Sequence, residues 1–410
     1  MQRQFDIIIV GGGMAGAALA CALSDTGYDI ALFEGGEYAV QRPSADEGVT
    51  GFDTRVSALS HGSVDLLQRV GAWGRINAVR ASPYSRMEVW DAQGTGAVAF
   101  DAGQVQQRWL GHIVENRVSV WALRQCLLEL PNVVTRGDCK VVEVLPIDGA
   151  DVARGQPAYT LLLGDGSRVS ASLVVAADGA LSSVRSLAGL KTREWDYGQL
   201  ATVATVRIER AHQQTAWQRF LPEGPLAFLP LSSSTDSEHL CSIVWSARAD
   251  VARALAPLQD QDFCQALTRA FEGRLGQVLQ AGQRVSYPLR QRHAVSYYKP
   301  GLVLIGDAAH TVHPLAGQGI NLGFKDVVVL AEELARADRL GLAPGSVSVL
   351  ARYQRRRVAD NLGMMAVMEG FKRLFGEQDV ALRWLRNEGM NRVNRSPLIK
   401  QQLMRRAMGL

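Results

Sequence analysis

The stretch Asp6–Gly16, "DIIIVGGGMAG", decides the fold. Its first five residues form a short, mostly β-branched run, which is typical of a strand buried on both faces. Gly11, Gly13 and Gly16 follow with the spacing Gly-x-Gly-x-x-Gly, and the next segment, "AALACALSDTG" at 17–27, has a helical composition. A strand, a glycine turn and a helix in this order predict the opening βαβ unit of a dinucleotide-binding domain.

The three glycines have separate tasks in such a turn. The first permits the tight turn, the second lets the backbone approach a pyrophosphate, and the third allows the helix to pack closely on the strand. Glu34 ends the next strand, 18 residues after Gly16, where a carboxylate can accept hydrogen bonds from a ribose diol. An ordinary surface turn is the alternative, and it is disfavoured because strand, spacing, helix and acid occur together. We therefore expect Gly11, Gly13, Gly16 and Glu34 to bind the adenosine half of a dinucleotide.

Two later strand ends indicate which dinucleotide fits. The segment "SLVVAADGA", 172–180, places Asp178 after a buried strand, and "GLVLIGDAAH", 301–310, does the same with Asp307. Open α/β sheets bind ligands at the carboxyl ends of their strands, where an acid can hold the ribityl hydroxyls of a flavin. A second Gly-x-Gly-x-x-Ala, at 94–99, lies in an alternating strand pattern and predicts a hairpin turn instead.

The residues after Asp307 add a site for negative charge. In "PLAGQGINLG", 314–323, the backbone N–H groups of Gly317, Gln318 and Gly319 lead into a helix that we expect to start near Asn321. A helix N-terminus with accessible amides stabilises negative charge, which a reduced flavin carries in its pyrimidine half. The early fingerprint and this late site together predict FAD, lying extended across the domain.

The same stretch has two rival interpretations. Asp307, His310 and His313 have a spacing that a metal could use on a helix, but Pro314 and the glycines disfavour a regular helix and the sequence offers no further ligand cluster. We therefore predict no metal site. A Ser-His-Asp hydrolase is disfavoured as well, because the sequence lacks a nucleophile elbow.

The composition limits the class of protein to which the chain can belong. The chain has 410 residues, 47% of them apolar and 20% charged, which is typical of a soluble globular protein of two or three domains. A net charge of +4 gives no reason to expect nucleic acid, and five scattered cysteines without a CxxC favour a reducing compartment. The first apolar run is too short for a signal peptide, and no stretch approaches a membrane span. We expect a cytoplasmic protein that can touch the inner membrane peripherally.

Segments typical of a nucleotide-binding domain alternate along the chain with segments of a different sequence pattern. The segments 85–101, 201–209 and 226–246 alternate and turn at glycines, which predicts antiparallel strands. From Ala351 onward the pattern is helical and basic, with 13 Lys and Arg against 5 Asp and Glu. We predict an α/β, Rossmann-like FAD-binding domain, discontinuous in sequence, with an inserted antiparallel β-sheet substrate domain and a C-terminal helical segment. The predicted division is 1–80, 112–190 and 286–350 for the FAD-binding domain, 81–111 and 191–285 for the substrate sheet, and 351–410 for the basic helices.

The order and separation of the three motifs resemble the flavin-dependent aromatic hydroxylases related to para-hydroxybenzoate hydroxylase. Finer matches are similar to the ubiquinone-biosynthesis branch of this family: "RVSALS", "MEVWD", "LGHIVENRV", "AFLPL", "CSIVWS", "GDAAHTVHPLAGQGINLG" and "RRAMGL". Within that branch, "MEVWD", "LGHIVEN" and "LCSIVWS" most resemble the 2-octaprenylphenol hydroxylases. The similarity covers nearly the whole chain.

The resemblance implies roles for individual residues. Arg55, in "RVSALS", would lie near the flavin, although an exposed arginine before a helix is an equal alternative. Asp178 would organise the pyrophosphate region, Asp307 would bind the ribityl chain, and 317–321 would cradle the isoalloxazine. Relatives often carry an arginine within the helix after "ENRV". The matching position here is Trp121, which leaves Arg117 and Arg124 as candidates.

The resemblance also implies an activity. It is the NAD(P)H- and O2-dependent hydroxylation of a polyprenylphenol in ubiquinone biosynthesis, with FAD as cofactor and NAD(P)H as a transient co-substrate. Three alternatives stay open: a hydroxylase for a later methoxy-polyprenyl intermediate, an isoprenoid-chain reductase, and a lipid-binding flavoprotein without turnover. The expected partners are a polyprenyl phenol or quinol and O2. The basic C-terminal segment could add contact with a membrane surface or with other pathway proteins.

Overall fold

Three β-sheets and the helices that cover them make up the described part of the chain in this computed structural model. The structure describes residues 3–39, 41–44, 48–311, 319–376 and 380–409, without the side chains of 367–369 and 371–386. The strands, numbered in chain order, are β1 Arg3–Val10, β2 Ile30–Phe33, β3 Val56–Leu59, β4 Ser82–Tyr84, β5 Arg86–Asp91, β6 Ala97–Asp101, β7 Gly111–Glu115, β8 Val133–Arg136, β9 Val141–Pro146, β10 Tyr159–Leu163, β11 Arg168–Ala176, β12 Thr192–Ile208, β13 Thr215–Leu221, β14 Gly224–Leu231, β15 Leu240–Arg248, β16 Val278–Ala281, β17 Val285–Ala294, β18 Tyr298–Lys299, β19 Leu302–Leu304 and β20 His310–Thr311.

The helices cover the faces of these sheets. In chain order they are α1 Met14–Ala22, α2 His61–Arg69, α3 Trp73–Val79, α4 Asn116–Leu127, α5 Ser183–Leu187, α6 Ala249–Leu255, α7 Asp260–Ala270, α8 Gly319–Arg339, α9 Val347–Gly376, α10 Val380–Arg395 and α11 Pro397–Met408. Short 3₁₀ turns at Ala102–Val105, Val152–Arg154 and Gly306–Ala308 complete the list.

The first sheet is the predicted dinucleotide-binding sheet. Strands β19, β11, β1, β2 and β8 run parallel in this order, so the first strand of the chain lies in the middle. Ile7, Ile8 and Ile9 of β1 are fully buried, as expected for a strand covered on both faces. Since the strands are parallel, the loops after β1, β11 and β19 leave the sheet at one edge. The three predicted motifs occupy those loops.

The second sheet is largely antiparallel and runs in the order β20-β17-β12-β15-β14-β13-β5-β6. Side chains alternate between its faces, as the two-residue period of a strand requires. On β14, Leu226 and Phe228 join a core shared with α7, whereas Leu229 and Leu231 join a core on the opposite face. The hairpin predicted at 94–99 joins β5 to β6.

The C-terminal helices bind to both halves of the molecule. Helices α8 and α9 pack beside the first sheet, and α10 lies along β6, the edge strand of the second sheet. Asn391 and Asn394 accept hydrogen bonds from the N–H groups of Ala97 (3.5 Å) and Ala99 (3.3 Å), which covers the unpaired backbone of this edge. The predicted fold, an α/β FAD-binding domain with an antiparallel sheet and C-terminal helices, is confirmed. The boundaries assigned to its parts stay a prediction.

Candidate cofactor site and active site

The glycine loop after β1 closes onto the end of the neighbouring strand β11. Gly11 has a φ of +110°, and a Cβ there would stand 2.4 Å from the carbonyl oxygen of Ala177. A Cβ at Gly16 would stand 2.0 Å from the carbonyl oxygen of Gly11. Since real Cβ atoms do not approach oxygen so closely, the protein itself requires glycine at both positions.

Gly13 differs from its two neighbours in the motif. It caps the N-terminus of α1 with an extended backbone (φ −73°, ψ −172°) that any residue can adopt. A Cβ at this position would meet nothing within 4 Å. The protein does not require glycine here, so its bare backbone and the first N–H groups of α1 face open space. A pyrophosphate fits this space, because a helix N-terminus attracts negative charge.

Glu34 lies against this loop at the end of β2. Its carboxylate accepts hydrogen bonds from the N–H groups of Gly12 (2.7 Å) and Gly36 (3.1 Å). Its side chain is 23% exposed, so lone pairs remain for a ribose diol on the open side. The structure therefore brings the predicted acid to the predicted glycines.

Arg124 of α4, one of the two candidate arginines, reaches the same loop. Its guanidinium donates to the carbonyl oxygens of Gly12 (3.1 Å) and Glu37 (3.1 Å) and lies over the ring of Tyr38. Arg117, the other candidate, turns away and contacts Glu115 and the carbonyl oxygen of Gly51. The buried cation beside the glycine loop is therefore Arg124, which lies three residues after Trp121 and almost one helical turn further on.

Asp178 organises the loop after β11. Its carboxylate accepts hydrogen bonds from the hydroxyls of Ser182 (2.5 Å) and Ser183 (3.1 Å) and from the N–H of Val184 (3.1 Å). These contacts fold the loop back on itself at the start of α5. The carboxylate thus shapes the rim of the site from within its own loop.

Asp307 stands in the 3₁₀ turn after β19. Its side chain reaches solvent, yet protein surrounds it on most sides, and this partial loss of water raises the pKa of the carboxyl above its usual value. The positive charges of His310 and Arg55 act in the opposite direction. Arg55 is exposed and lies over the ring of Tyr287 on the second sheet, 5.6 Å from its centroid. The structure therefore brings Arg55 and Asp307 together where the two sheets meet.

Arg185 ties two of the motifs together. Its guanidinium donates to the carbonyl oxygens of Ala180 (3.0 Å) and Ala308 (2.8 Å), in the loops that follow β11 and β19. Gly306 in turn lies against Ala15 at the start of α1, since a Cβ there would be 3.4 Å from that of Ala15. The three motifs, distant in sequence, thus form one continuous surface.

A buried ion network holds the turn that carries Asp307. Asp326 of α8 accepts a hydrogen bond from the N–H of Gly306 (2.9 Å) and lies 2.5 Å from Nε2 of His310, so it contacts both ends of the turn. Arg357 of α9 donates to the same carboxylate at 2.7 Å. Burial opposes the charge on Asp326, but His310 and Arg357 outweigh it and hold the pKa below its usual value. Sequence reasoning missed Asp326 and Arg357 as parts of the site.

Asn321 ties the start of α8 to the segment that follows Arg55. Its amide donates to the carbonyl oxygen of Ala58 (2.8 Å) and accepts from the N–H of Ser60 (3.0 Å) and the hydroxyl of Ser63 (2.6 Å). Gly319 is already the first described residue of α8, two positions before the expected helix start. Gly317, Gln318 and His313 lie outside the described residues.

The metal alternative finds no support among the described residues. They contain no group of three or more His, Cys, Asp and Glu side chains that could hold a metal ion. His310, one of the proposed ligands, lies against Asp326 in the buried network instead. A groove between α7 and β16, on the far side of the second sheet, is lined by none of the site residues.

These residues fit an extended dinucleotide whose far end is a flavin. The bare backbone at Gly13 suits a pyrophosphate, and Glu34 suits a ribose. Asp307 is exposed near Arg55, which contacts the second sheet. A dinucleotide site joined in this way to an antiparallel sheet defines the class of FAD-dependent monooxygenases.

Comparison with known proteins identifies the family. The family model for the FAD binding domain matches residues 4–365. The 3-demethoxyubiquinol 3-hydroxylase of Escherichia coli (strain K12) is 39% identical over 412 residues, covering 99% of this chain and 98% of that protein. The mitochondrial ubiquinone biosynthesis monooxygenase COQ6 of Homo sapiens is 35% identical over 442 residues, covering 98% of this chain and 92% of that protein. The chain belongs to the FAD-binding family of ubiquinone-biosynthesis hydroxylases, monooxygenases that use FAD, NAD(P)H and O2.

Solved structures agree on the fold. The p-nitrophenol 4-monooxygenase PnpA of Pseudomonas putida DLL-E4 superposes with a TM-score of 0.76 at 20% identity, covering 100% of this chain and 99% of that one.

Among the described residues, no helix is long and apolar enough to cross a bilayer.

Proposed function

We propose that the protein hydroxylates the aromatic ring of a polyprenyl-substituted phenol or quinol on the pathway to ubiquinone. The observation that carries the proposal is the full-length similarity to the hydroxylase of 3-demethoxyubiquinol, at 39% identity over 99% of the chain. A polyprenylphenol is the ring favoured by the finer sequence resemblance. A demethoxyubiquinol is the second candidate, because it is the substrate named for that relative.

We assign the residues of the site as follows. Gly13 and the first turn of α1 bind the pyrophosphate, with Gly11 and Gly16 keeping the loop in shape. Glu34 binds the adenosine ribose. Asp307 binds the ribityl chain. For the flavin ring, the proposed cradle is 317–321, of which Gly317 and Gln318 lie outside the described residues, with Gly319 at the start of α8 and Asn321 tying that start to β3.

The second sheet supports the proposed chemistry by its position. Bound FAD would pass reducing equivalents from NAD(P)H to O2 and so supply the oxygen atom for the ring. The chain must keep water from this step. Strand β20 follows the Asp307 turn directly and pairs with β17 of the second sheet, with His310 opposite His293. The sheet is therefore joined to the cofactor loop, where it can enclose a ring placed beside Arg55 and Tyr287.

The proposed substrate also implies a place in the cell. A polyprenyl chain partitions into the bilayer, so we infer that the protein meets its substrate at a membrane surface. The basic C-terminal segment is the candidate for this contact. Contact with another protein of the pathway is the alternative for the same segment.

The test is turnover by the purified yellow holoenzyme with each candidate ring. We expect one of the two to stimulate both NAD(P)H oxidation and O2 uptake, and the product to gain one oxygen atom by mass spectrometry. Oxidation of NAD(P)H with a product that gains hydrogen and no oxygen would identify an isoprenoid reductase instead. A yellow protein that binds the lipid but oxidises NAD(P)H with neither ring would be a lipid-binding flavoprotein without turnover. Complementation of strains that each lack one ubiquinone hydroxylase would separate the two rings.

A further inference from the structure

Three arginines of α9 are engaged within the protein. Arg352 donates to Glu333 of α8 at 2.9 Å, and Arg356 contacts both Glu332 and Glu333. Arg357 is fully buried against Asp326. The basic pattern at the start of the C-terminal segment therefore joins α9 to α8, and these three side chains are not directed to an outside partner.

Helix α11 differs, because it is apolar on two opposite sides. Met404 and Met408 are buried in the core between the second sheet and the sheet formed by β3, β7 and β4. On the other side, Leu398 is 81%, Ile399 is 49% and Leu403 is 46% exposed. Large apolar side chains grouped on one exposed helix face usually mark a contact surface. We call these three residues the outer face of α11.

Positive charge borders the outer face. Arg405 and Arg406 are exposed on α11, and Arg395 is exposed just before it. Lys400 turns inward, where it lies 6.0 Å from the ring centroid of Phe100. The sequence has no acidic residue after Glu388, so nothing in the last stretch of the chain offsets these arginines. An apolar face with an arginine border is complementary to an anionic lipid surface.

The C-terminal end of α11 lies close to the cofactor site. The end of α11 packs against the start of α2, where a Cβ on Gly62 would be 3.7 Å from the carbonyl oxygen of Gly409. The neighbouring residues Ser60 and Ser63 bind Asn321 at the start of α8. The C-terminal end of α11, where Arg405 and Arg406 lie, is therefore joined through α2 to the start of α8.

We propose that the outer face of α11 is the membrane-docking surface of this enzyme, with Leu398, Ile399 and Leu403 entering an anionic leaflet and Arg405 and Arg406 contacting its headgroups. The inference rests on the proposed function, because a polyprenyl substrate gives the contact its purpose. It allows the prenyl chain to stay in lipid while the ring enters the site.

The test is cosedimentation of the holoenzyme with vesicles of phosphatidylcholine alone or of equal parts phosphatidylcholine and phosphatidylglycerol. We expect binding to the anionic vesicles that weakens as salt is added. Arg405→Gln with Arg406→Gln should weaken it about 30-fold, since each basic residue near an anionic surface contributes a factor of about five. Leu398→Asn should weaken it about ten-fold. Leu128→Asn, at an exposed leucine (67%) that caps the C-terminus of α4, is the matched control and should bind as the parent does.

The outcomes separate this inference from the proposed function. Equal binding to both kinds of vesicle, unchanged binding of the α11 variants, or no binding at low salt would each overturn the docking surface. The last result, with turnover intact, would assign the face to a protein partner. The variants should keep their FAD absorbance and should hydroxylate a short-chain, water-soluble phenol at the parent's rate. If the vesicles bind but no phenol is hydroxylated, only the proposed function fails.

Discussion

Replacement of Gly13 by alanine should weaken FAD binding without disturbing the fold. The backbone at Gly13 is extended and a Cβ there meets no protein atom within 4 Å. The expected loss of unfolding free energy is about 0.5–1 kcal/mol, because alanine is a poorer N-cap than glycine. With cofactor bound, the same methyl group would occupy space next to the pyrophosphate. Overpacking of this kind costs about 1–3 kcal/mol, which is a factor of about 5–150 in the dissociation constant.

Two further glycines make the experiment specific. Gly16→Ala puts a Cβ 2.0 Å from a backbone oxygen, so the apoprotein itself should lose stability. Gly74→Ala lies in α3, where a Cβ again meets nothing within 4 Å, and it should leave both stability and cofactor affinity unchanged or slightly improved. The assay is FAD titration of each apoprotein followed by flavin fluorescence, with urea unfolding of the apoprotein measured in parallel.

The FAD affinity of Gly13→Ala decides the assignment of this loop. If Gly13→Ala binds FAD as tightly as the parent, the open space at Gly13 does not hold the pyrophosphate and the assignment of this loop is wrong. If the variant loses FAD only to the extent that its apoprotein unfolds, the effect is structural. In that case Gly13 behaves like Gly16.

Three further outcomes follow from the site and its surroundings. Asp307→Ala should weaken FAD binding by about 1 kcal/mol, the value of one hydrogen bond. The unfolding free energy of the apoprotein, measured in urea, should change by less than about 0.5 kcal/mol. Equal losses of binding and unfolding free energy would contradict the ribityl role. Asp326→Asn should lower the unfolding free energy by about 3–5 kcal/mol, because Arg357 then keeps only its exposed acidic partner Asp360. Asp360→Asn leaves the buried pair intact and should cost less than about 1 kcal/mol. Burial, together with the nearby His61, lowers the pKa of His112 to about 4. As the pH falls below about 6.5, the unfolded chain therefore binds a proton at this histidine before the folded protein does. The free energy of unfolding should then fall by up to about 3 kcal/mol towards pH 4. In urea unfolding measured across this pH range, His112→Gln should remove that part of the pH dependence of the unfolding free energy. The same pH dependence as in the parent would refute the assignment.

The sequence was sufficient for features that depend on local patterns. A β-branched run followed by spaced glycines predicts the central strand and its loop, because burial on both faces and a tight turn each demand particular residues. The carboxyl ends of β1, β11 and β19 could be predicted to meet, since parallel strands leave a sheet at one edge. Likewise, the hairpin at 94–99 follows from alternation interrupted by glycine.

Features that depend on pairing between distant segments could not be predicted in this way. Arg124 reaches the glycine loop from a helix more than a hundred positions away, and the length of its side chain compensates for the shift from the position expected in relatives. Nothing local in the sequence marks Asp326 as the partner of His310, since an aspartate within a helix usually faces solvent. The third sheet joins β3, β7 and β4 across intervening helices, an arrangement that strand patterns alone do not specify.

The C-terminal segment shows how one basic pattern can serve two purposes. Arginines and apolar residues at helical spacing occur in both α9 and α11, so the sequence alone gave no reason to separate them. In α9, Arg352 and Arg356 face acids of α8, and Arg357 acts with His310 to keep Asp326 ionised in the core. In α11 no such acids are available in the sequence nearby, and the apolar side chains stand out into solvent. Through Asp326, α9 therefore supports the turn that carries Asp307, whereas the three apolar side chains of the outer face of α11 lie outside the core.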